Sequence, residues 1–140
     1  MITGNEVFID TSYIVALCSS SDKYHKHAAI LADKLGTVKT KFITTRAVIV
    51  EIGNTLSKER HRKDAIDIIT FLEIDPDVNI VPFSDDLYHR AFQLYKKRSD
   101  KEWGITDCIS FVVMEDYRLT EALTADKHFQ QAGFKALLLT

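Results

Sequence analysis

Four acidic residues stand far apart in the chain, yet each borders an apolar stretch. Asp10 and Asp126 each end a short apolar run, Glu51 lies within another, and Asp107 comes directly before a fourth. Carboxylates seldom gather at the edge of a core unless a cation offsets their mutual repulsion. A site for a divalent metal is therefore the simplest chemistry that these acids indicate.

The surroundings of the four acids predict which elements carry them. The apolar runs that end in Asp10 and Asp126 are typical of buried strands. Glu51 falls in a helix that Thr45 is predicted to cap, and Asp107 falls in a first turn, where the helix dipole favours an anion. If the two strands are parallel, their acids emerge at the same edge of the sheet, where open α/β folds place their sites.

Along the whole chain, strand patterns alternate with helix patterns. This alternation favours an α/β fold whose parallel sheet is covered on both faces and joined by right-handed crossovers. Gly36 is predicted to end the second helix, and Ser84 to cap a later one. The predicted strands cover residues 7–10, 42–44, 79–82, 122–126 and 136–139, and the predicted helices cover 14–17, about 24–35, 46–58, 65–72, 87–95, 108–114 and a short segment around Phe129.

Size and composition limit the class of protein. A chain of 140 residues, 46% of them hydrophobic, fits one domain over residues 1–140. No apolar run approaches the ~20 residues of a membrane helix, and no secretory leader is visible, so we expect a soluble cytoplasmic protein without membrane contact. Cys18 and Cys108 lie in apolar helical contexts and are expected to be free, buried thiols.

The net charge of −2 argues against a protein that coats nucleic acid. Three basic clusters are still present, and each is either a guide for a phosphate backbone or a solvated helix face. Several aromatic residues occupy core-like positions, and we expect them to pack rather than to stack on bases. The clusters are Lys58, Arg60, Arg62 and Lys63; Lys96, Lys97 and Arg98; and Lys39, Lys41 and Arg46, and the aromatics are Tyr24, Phe42, Phe71, Phe92, Tyr95 and Phe111.

The order and spacing of the acidic motifs resemble the PIN-domain family, and within it the small VapC-type toxin ribonucleases. The motifs are Phe-Ile-Asp-Thr-Ser at residues 8–12, Thr-Thr at 44–45 followed by Glu51 and Asn54, Thr-Asp at 106–107, and Leu-Thr-Ala-Asp at 123–126. Each motif is common alone, and the set of four carries the resemblance over essentially the whole chain. The resemblance implies a three-layer α/β/α sandwich with about five parallel strands.

The resemblance also implies a site in which Mg²⁺ or Mn²⁺ is held by oxygen ligands. We predict that Asp10 and Asp107 bind the metal directly and that Asp126 completes the site directly or through water. Glu51 is predicted to reach a second metal or a bridging water, and His128 is expected at the surface or against a partner. The implied catalytic residues are Asp10, Glu51, Asp107 and Asp126, with the supporting hydroxyls of Ser12 and Thr106.

The function implied by this resemblance is metal-dependent hydrolysis of RNA, with a cognate antitoxin as protein partner. One open alternative is a non-catalytic PIN module that binds RNA or protein. Another is a phosphatase of the haloacid-dehalogenase kind, which also begins with a strand ending in Asp but needs a second Asp where Ser12 stands here. A signalling receiver domain needs a different acid spacing. A monomer and a homodimer are both compatible with the sequence.

Overall fold

Five strands form one sheet in the computed structural model, which describes residues 5–140. The strands are β1 Glu6–Ile9, β2 Lys41–Thr45, β3 Val78–Val81, β4 Glu121–Leu123 and β5 Lys135–Ala136. All pairings are parallel, and the strand order is β3-β2-β1-β4-β5. Asp10, the first of the four predicted acids, therefore follows the central strand.

Seven helices flank the sheet within the same residues, which confirms the predicted α/β class and the three-layer arrangement. Neighbouring parallel strands are joined through helical segments, as the geometry of parallel pairing requires. The helices are α1 Thr11–Cys18, α2 His25–Thr37, α3 Arg46–Thr55, α4 Glu59–Ile74, α5 Asp85–Lys97, α6 Ile105–Asp116 and α7 Lys127–Gln131.

The core explains why the acids lie at the ends of apolar runs. Val7, Phe8 and Ile9 of β1 are all buried, as expected for a central strand covered on both faces. Every residue of α6 from Cys108 to Met114 is also buried, so this helix has no solvent face over that stretch. The acids that follow or precede these runs, Asp10 and Asp107, therefore lie at the edge of the core.

Both predicted N-terminal helix caps, Thr45 and Ser84, are present. The Thr45 hydroxyl accepts a hydrogen bond from the backbone N–H of Val48 at 3.1 Å, which starts α3. The Ser84 hydroxyl accepts one from the backbone N–H of Leu87 at 3.1 Å, which starts α5. These bonds satisfy donors that have no partner within the helix. Thr45 thereby fixes where the Glu51 helix begins.

The predicted last strand at residues 136–139 was wrong in its extent. Only Lys135–Ala136 pairs with β4, and Leu137–Leu139 forms a 3₁₀ turn. Because β4 ends at Leu123, the ladder offers no further partner. The backbone N–H of Leu138 donates instead to the Thr124 carbonyl at 3.1 Å. The strand predicted over 122–126 was also wrong in its extent, since it covers Glu121–Leu123.

Two helix ends also differ from the prediction. Gly36 lies inside α2 without a left-handed conformation, and the helix continues to Thr37. The Thr37 hydroxyl donates to the Lys34 carbonyl at 2.8 Å at this end. The helix predicted over 46–58 ends at Thr55, because the chain turns there into α4.

The prediction that the aromatic residues pack in the core holds for Phe111 but was wrong for Phe71 and Tyr95. Phe71 is 53% exposed and Tyr95 is 44% exposed. Helical spacing places both residues on the apolar face of their helix. On each helix, that face is wider than the part of it that packs against the core.

The two cysteines are free, as predicted, with Cys108 buried and Cys18 half-buried. No helix within residues 5–140 has the length and apolar character that a membrane crossing requires.

Candidate metal centre

The four predicted acids line one pocket beside the carboxyl ends of β1 and β4. The pocket has a volume of about 410 Å³, and Asp10, Glu51, Asp107 and Asp126 all contribute to its wall. Two of these acids follow the neighbouring strands β1 and β4, and the other two come from helices α3 and α6. Residues that are up to 116 positions apart in the sequence thus share one cavity.

Asp10, Ser12 and Thr124 form a hydrogen-bonded set that we call the strand-end group. The Thr124 hydroxyl donates to Asp10 Oδ2 at 2.7 Å, and the Ser12 hydroxyl donates to the same oxygen at 3.1 Å. Ser12 Oγ accepts from the backbone N–H of Ala125 at 2.9 Å, and Thr124 Oγ1 accepts from that of Asp126 at 3.0 Å. The two hydroxyls therefore connect the Asp10 carboxylate to the backbone that follows β4.

Burial dominates the electrostatics of Asp10. It raises the pKa of Asp10 from the usual 3.8 to about 6, although hydrogen bonds from Thr124, the Thr11 backbone and Ser12 lower it. The negative charge of Glu51 raises this pKa further. Folding therefore holds a carboxylate where its charge is unfavourable, and a bound cation would remove that penalty.

Asp107, Asp126 and His128 form a second set that we call the helix-start group. Asp107 Oδ2 accepts from the backbone N–H of Gly104 at 3.2 Å, which caps the start of α6. Asp126 caps α7 by accepting from the backbone N–H of His128 at 2.8 Å. The imidazole Nδ1 of His128 lies 2.9 Å from Asp107 Oδ2 and 3.4 Å from Asp126 Oδ1. The start of α6 and the start of α7 thus meet at the imidazole of His128.

The pKa of Asp107 is raised as well. Burial is the main cause, and the charge of Asp126 adds to it, while the hydrogen bonds from His128 and Gly104 act in the opposite direction. A neighbouring acid thus contributes to both raised pKa values, Glu51 to that of Asp10 and Asp126 to that of Asp107.

The donor atoms of the helix-start group fit a metal ion. One atom each from Asp107, Asp126 and His128 lies within 4.8 Å of the other two, which is close enough for all three to contact one cation. Carboxylate oxygens suit Mg²⁺ and Mn²⁺, and an imidazole nitrogen suits the transition metals better. Asp10 and Glu51 line the same pocket and add negative charge to it.

Two polar residues that the sequence did not assign to the site belong to it geometrically. Thr124 makes the shortest bond to Asp10, and His128 contacts Asp107 instead of lying free at the surface. Thr106, which the resemblance implied, does not line the pocket among the residues described, whereas Ser12 does.

Comparison with known proteins identifies the family. A model of the PIN domain matches residues 7–135, which is most of the chain. The chain belongs to the PIN domain family, as its motifs indicated.

The chain is similar to particular toxins of this family. It is 26% identical over 129 residues to the 23S rRNA-specific endonuclease VapC20 of Mycobacterium tuberculosis, covering 91% of this chain and 95% of that protein. The crystal structure of VapC20, described as a sarcin-ricin loop cleaving toxin, aligns with a TM-score of 0.81 at 23% identity, again over 91% and 95% of the two chains.

Two further structures share the fold at lower identity. VapBC2 from Rickettsia felis, bound to a DNA fragment from its promoter, gives a TM-score of 0.63 at 13% identity and covers 94% of this chain and 96% of that one. FitAcB from Neisseria gonorrhoeae gives a TM-score of 0.66 at 17% identity, with 93% and 94% covered. At these identities, the likeness establishes the fold.

Proposed function

We propose that this chain is a metal-dependent endoribonuclease of the VapC kind, and that its acidic pocket hydrolyses RNA phosphodiester bonds. The observation that carries the proposal is the meeting of four acids from four elements in one pocket of a PIN fold. Its relative VapC20 is described as an endonuclease specific for 23S rRNA, which supports RNA as the substrate class.

A bound Mg²⁺ or Mn²⁺ would activate water and offset charge on the scissile phosphate. Asp107 and Asp126 are our choices for carboxylate ligands, with His128 beside them as a nitrogen donor or as the group that orients Asp107. Asp10, whose carboxylate accepts hydrogen bonds from two hydroxyls, lines the same pocket from the end of β1. Glu51 extends from α3 and can hold a water or a second ion.

A basic turn supports a polyanionic substrate. Glu51 and Thr55, one helical turn apart on α3, line the pocket, and the chain then turns through Lys58 and Arg60. Three residues of chain span at most about 11 Å, so Lys58 cannot lie far from the pocket wall. Both cations are exposed, which leaves them available to phosphate groups.

We also propose a cognate antitoxin as protein partner and the cytoplasm as the site of action. The description of VapC20 as a toxin and the fold shared with VapBC2 support this assignment. A non-catalytic PIN module would bind RNA and leave it intact, so that alternative predicts binding without turnover.

The test is cleavage of end-labelled RNA that carries the sarcin-ricin loop of 23S rRNA, with an unrelated hairpin for comparison. We expect cutting only with Mg²⁺ or Mn²⁺. The products should carry a 5′-phosphate and a 3′-hydroxyl, because water attacks the phosphorus opposite the 3′-oxygen, which leaves and takes up a proton. A nuclease that uses the 2′-hydroxyl leaves a cyclic phosphate instead. Asp107→Asn should abolish cleavage, since Asn keeps the size and loses the charge.

The matched control is Asp85→Asn, which removes an exposed first-turn acid from α5. This variant should cut like the wild type. Metal-independent cutting, cyclic-phosphate ends, or full activity of Asp107→Asn would each contradict the proposed mechanism.

A further inference from the structure

A row of four aromatic rings runs through the core. The Trp103 ring meets Phe111 edge to face with centroids 4.9 Å apart, and Phe111 meets Phe129 in the same way at 5.0 Å. Phe129 in turn lies 6.1 Å from Phe8. Such contacts are directional as well as apolar, so each ring restricts the orientation of the next.

Each ring in this row belongs to a segment that carries a residue of the acidic pocket. Phe111 lies one helical turn after Asp107 on α6, and Phe129 directly follows His128 on α7. Phe8 lies on β1, two residues before the first acid of the pocket. The row therefore joins the elements behind both groups of the metal centre.

At the Trp103 end of the row, a hydrogen bond joins the loop before α6 to α7. Trp103 Nε1 donates to Gln131 Oε1 at 3.0 Å. Trp103 directly precedes Gly104, whose backbone N–H holds Asp107, and Gln131 is the last residue of α7. The loop before α6 is thus bound to the far end of the helix whose first turn carries His128.

The same two segments are also joined inside the pocket, by the contact between His128 Nδ1 and Asp107 Oδ2. A cation that takes His128 Nδ1 as a ligand removes this contact, because the ligating nitrogen then has no proton to donate to Asp107. The Trp103–Gln131 bond uses none of the ligand atoms. It can persist when the contact inside the pocket is lost.

We propose that the Trp103–Gln131 hydrogen bond is a positioning clamp that keeps α7 against the start of α6 while the metal is bound. Trp103 and Gln131 are positioning residues that act through Asp107, Asp126 and His128. This inference rests on the proposed metal-dependent function, because the clamp has a role only if the helix-start group holds a cation.

The clamp can be opened without damage to the core. Gln131 is exposed, so Gln131→Met removes the acceptor at a surface position. Gln130 is the preceding residue of the same helix and is also exposed, and Gln130→Met is the matched control. Gln131→Glu keeps an acceptor oxygen for the Trp103 N–H and serves as the rescue.

The chain contains one tryptophan, so fluorescence excited at wavelengths that tyrosine does not absorb reports on Trp103 alone. Mg²⁺ is titrated into each variant, and the midpoint is read from this fluorescence and, independently, from the rise in melting temperature. We expect Gln131→Met to raise the Mg²⁺ midpoint by about tenfold, a typical loss when a group that supports a metal ligand is removed. Gln130→Met and Gln131→Glu should keep the wild-type midpoint or lie below it.

Trp103→Phe tests the donor side, because it keeps an aromatic ring and loses the N–H. Followed by melting temperature, it should raise the Mg²⁺ midpoint as Gln131→Met does, and the double variant should add little to either change. A wild-type midpoint in Gln131→Met overturns the clamp and leaves the proposed nuclease intact. No Mg²⁺ response in the wild-type protein overturns both.

Discussion

The two groups of the acidic pocket hold their carboxylates in different ways. In the strand-end group, Asp10 is only 6% exposed and is fixed by two hydroxyls that carry no charge. In the helix-start group, the side chains of Asp107 and Asp126 are 19% and 32% exposed, and their shared neighbour is an imidazole. The first group is buried and its carboxylate has uncharged partners, whereas the second is more accessible and includes an imidazole.

This difference suits the two groups to different roles in the pocket. A hydroxyl can fix a carboxylate but cannot compensate its charge, so Asp10 stays costly to ionise in the folded protein. An imidazole can donate, accept, or bind a metal, so the contacts of the second group can change when a ligand enters. We infer that the strand-end group is a rigid anchor and that the helix-start group adjusts.

Removing the anchor charge is expected to have a large effect on cleavage, as Asp107→Asn does, and a larger effect than Asp107→Asn on stability without metal. Asp10→Asn should lower cleavage by more than about 100-fold, because loss of groups that merely support a ligand already costs 10- to 100-fold. The same change should raise the melting temperature without metal, since Asn fills the site without a buried charge. Asp107→Asn, at a more exposed carboxylate, should raise it less. A lower metal-free melting temperature for Asp10→Asn, measured by calorimetry, would contradict the anchor interpretation.

The second effect concerns pH. Because the pKa of Asp10 is about 6 in the folded protein against 3.8 normally, the folded state holds this proton more tightly than the unfolded state. The contribution of Asp10 to stability without metal should therefore be highest below pH 4, and it should be lost as the pH rises through 6. The loss amounts to about 3 kcal/mol at most.

Urea unfolding in EDTA at several pH values measures this slope. Asp10→Asn should flatten it, and Asp107→Asn should flatten it less, because Asp107 is less buried and its pKa is raised for the same main reason. Equal slopes in the wild type and Asp10→Asn would show that the burial of Asp10 does not govern acid stability.

A third and smaller effect comes from the hydroxyls. Thr124→Val keeps the branched shape and removes the 2.7 Å bond to Asp10, so the Mg²⁺ midpoint should rise by about tenfold. Thr106→Val is the matched control, since within residues 5–140 no hydrogen bond joins the Thr106 hydroxyl to any of the four acids. Melting temperature against Mg²⁺ concentration separates the two variants. An equal rise in both would mean that the Thr124 bond has no special role.

The smallest effect is expected at His128, where the contacts adjust. His128→Asn keeps an amide that can donate to Asp107 and loses the imidazole, so metal affinity should fall by less than about tenfold. Mn²⁺ should lose more than Mg²⁺, because nitrogen donors favour the transition metal. Calorimetric titration with each ion measures both losses. A larger loss than in Thr124→Val would reverse the proposed division between anchor and adjustable group.

The sequence by itself determined the fold class and the four acids. Apolar runs buried on every side are continuous in the sequence, so the strand that ends at Asp10 and the helix that begins near Asp107 are visible without a structure. Caps such as Thr45 and Ser84 are equally local, because donor and acceptor are three residues apart. The PIN resemblance then related the acids to one another.

Only the tertiary structure decided which hydroxyl and imidazole groups contact the acids. Thr124 reaches Asp10 across 114 positions, and His128 reaches Asp107 across 21, so no local pattern distinguishes them from other Thr and His residues. The end of the last strand depended likewise on where its neighbour β4 ends. These contacts depend on how parallel strands and helix starts are placed beside one another, and strand order and helix orientation are set by packing between segments that are distant in the sequence.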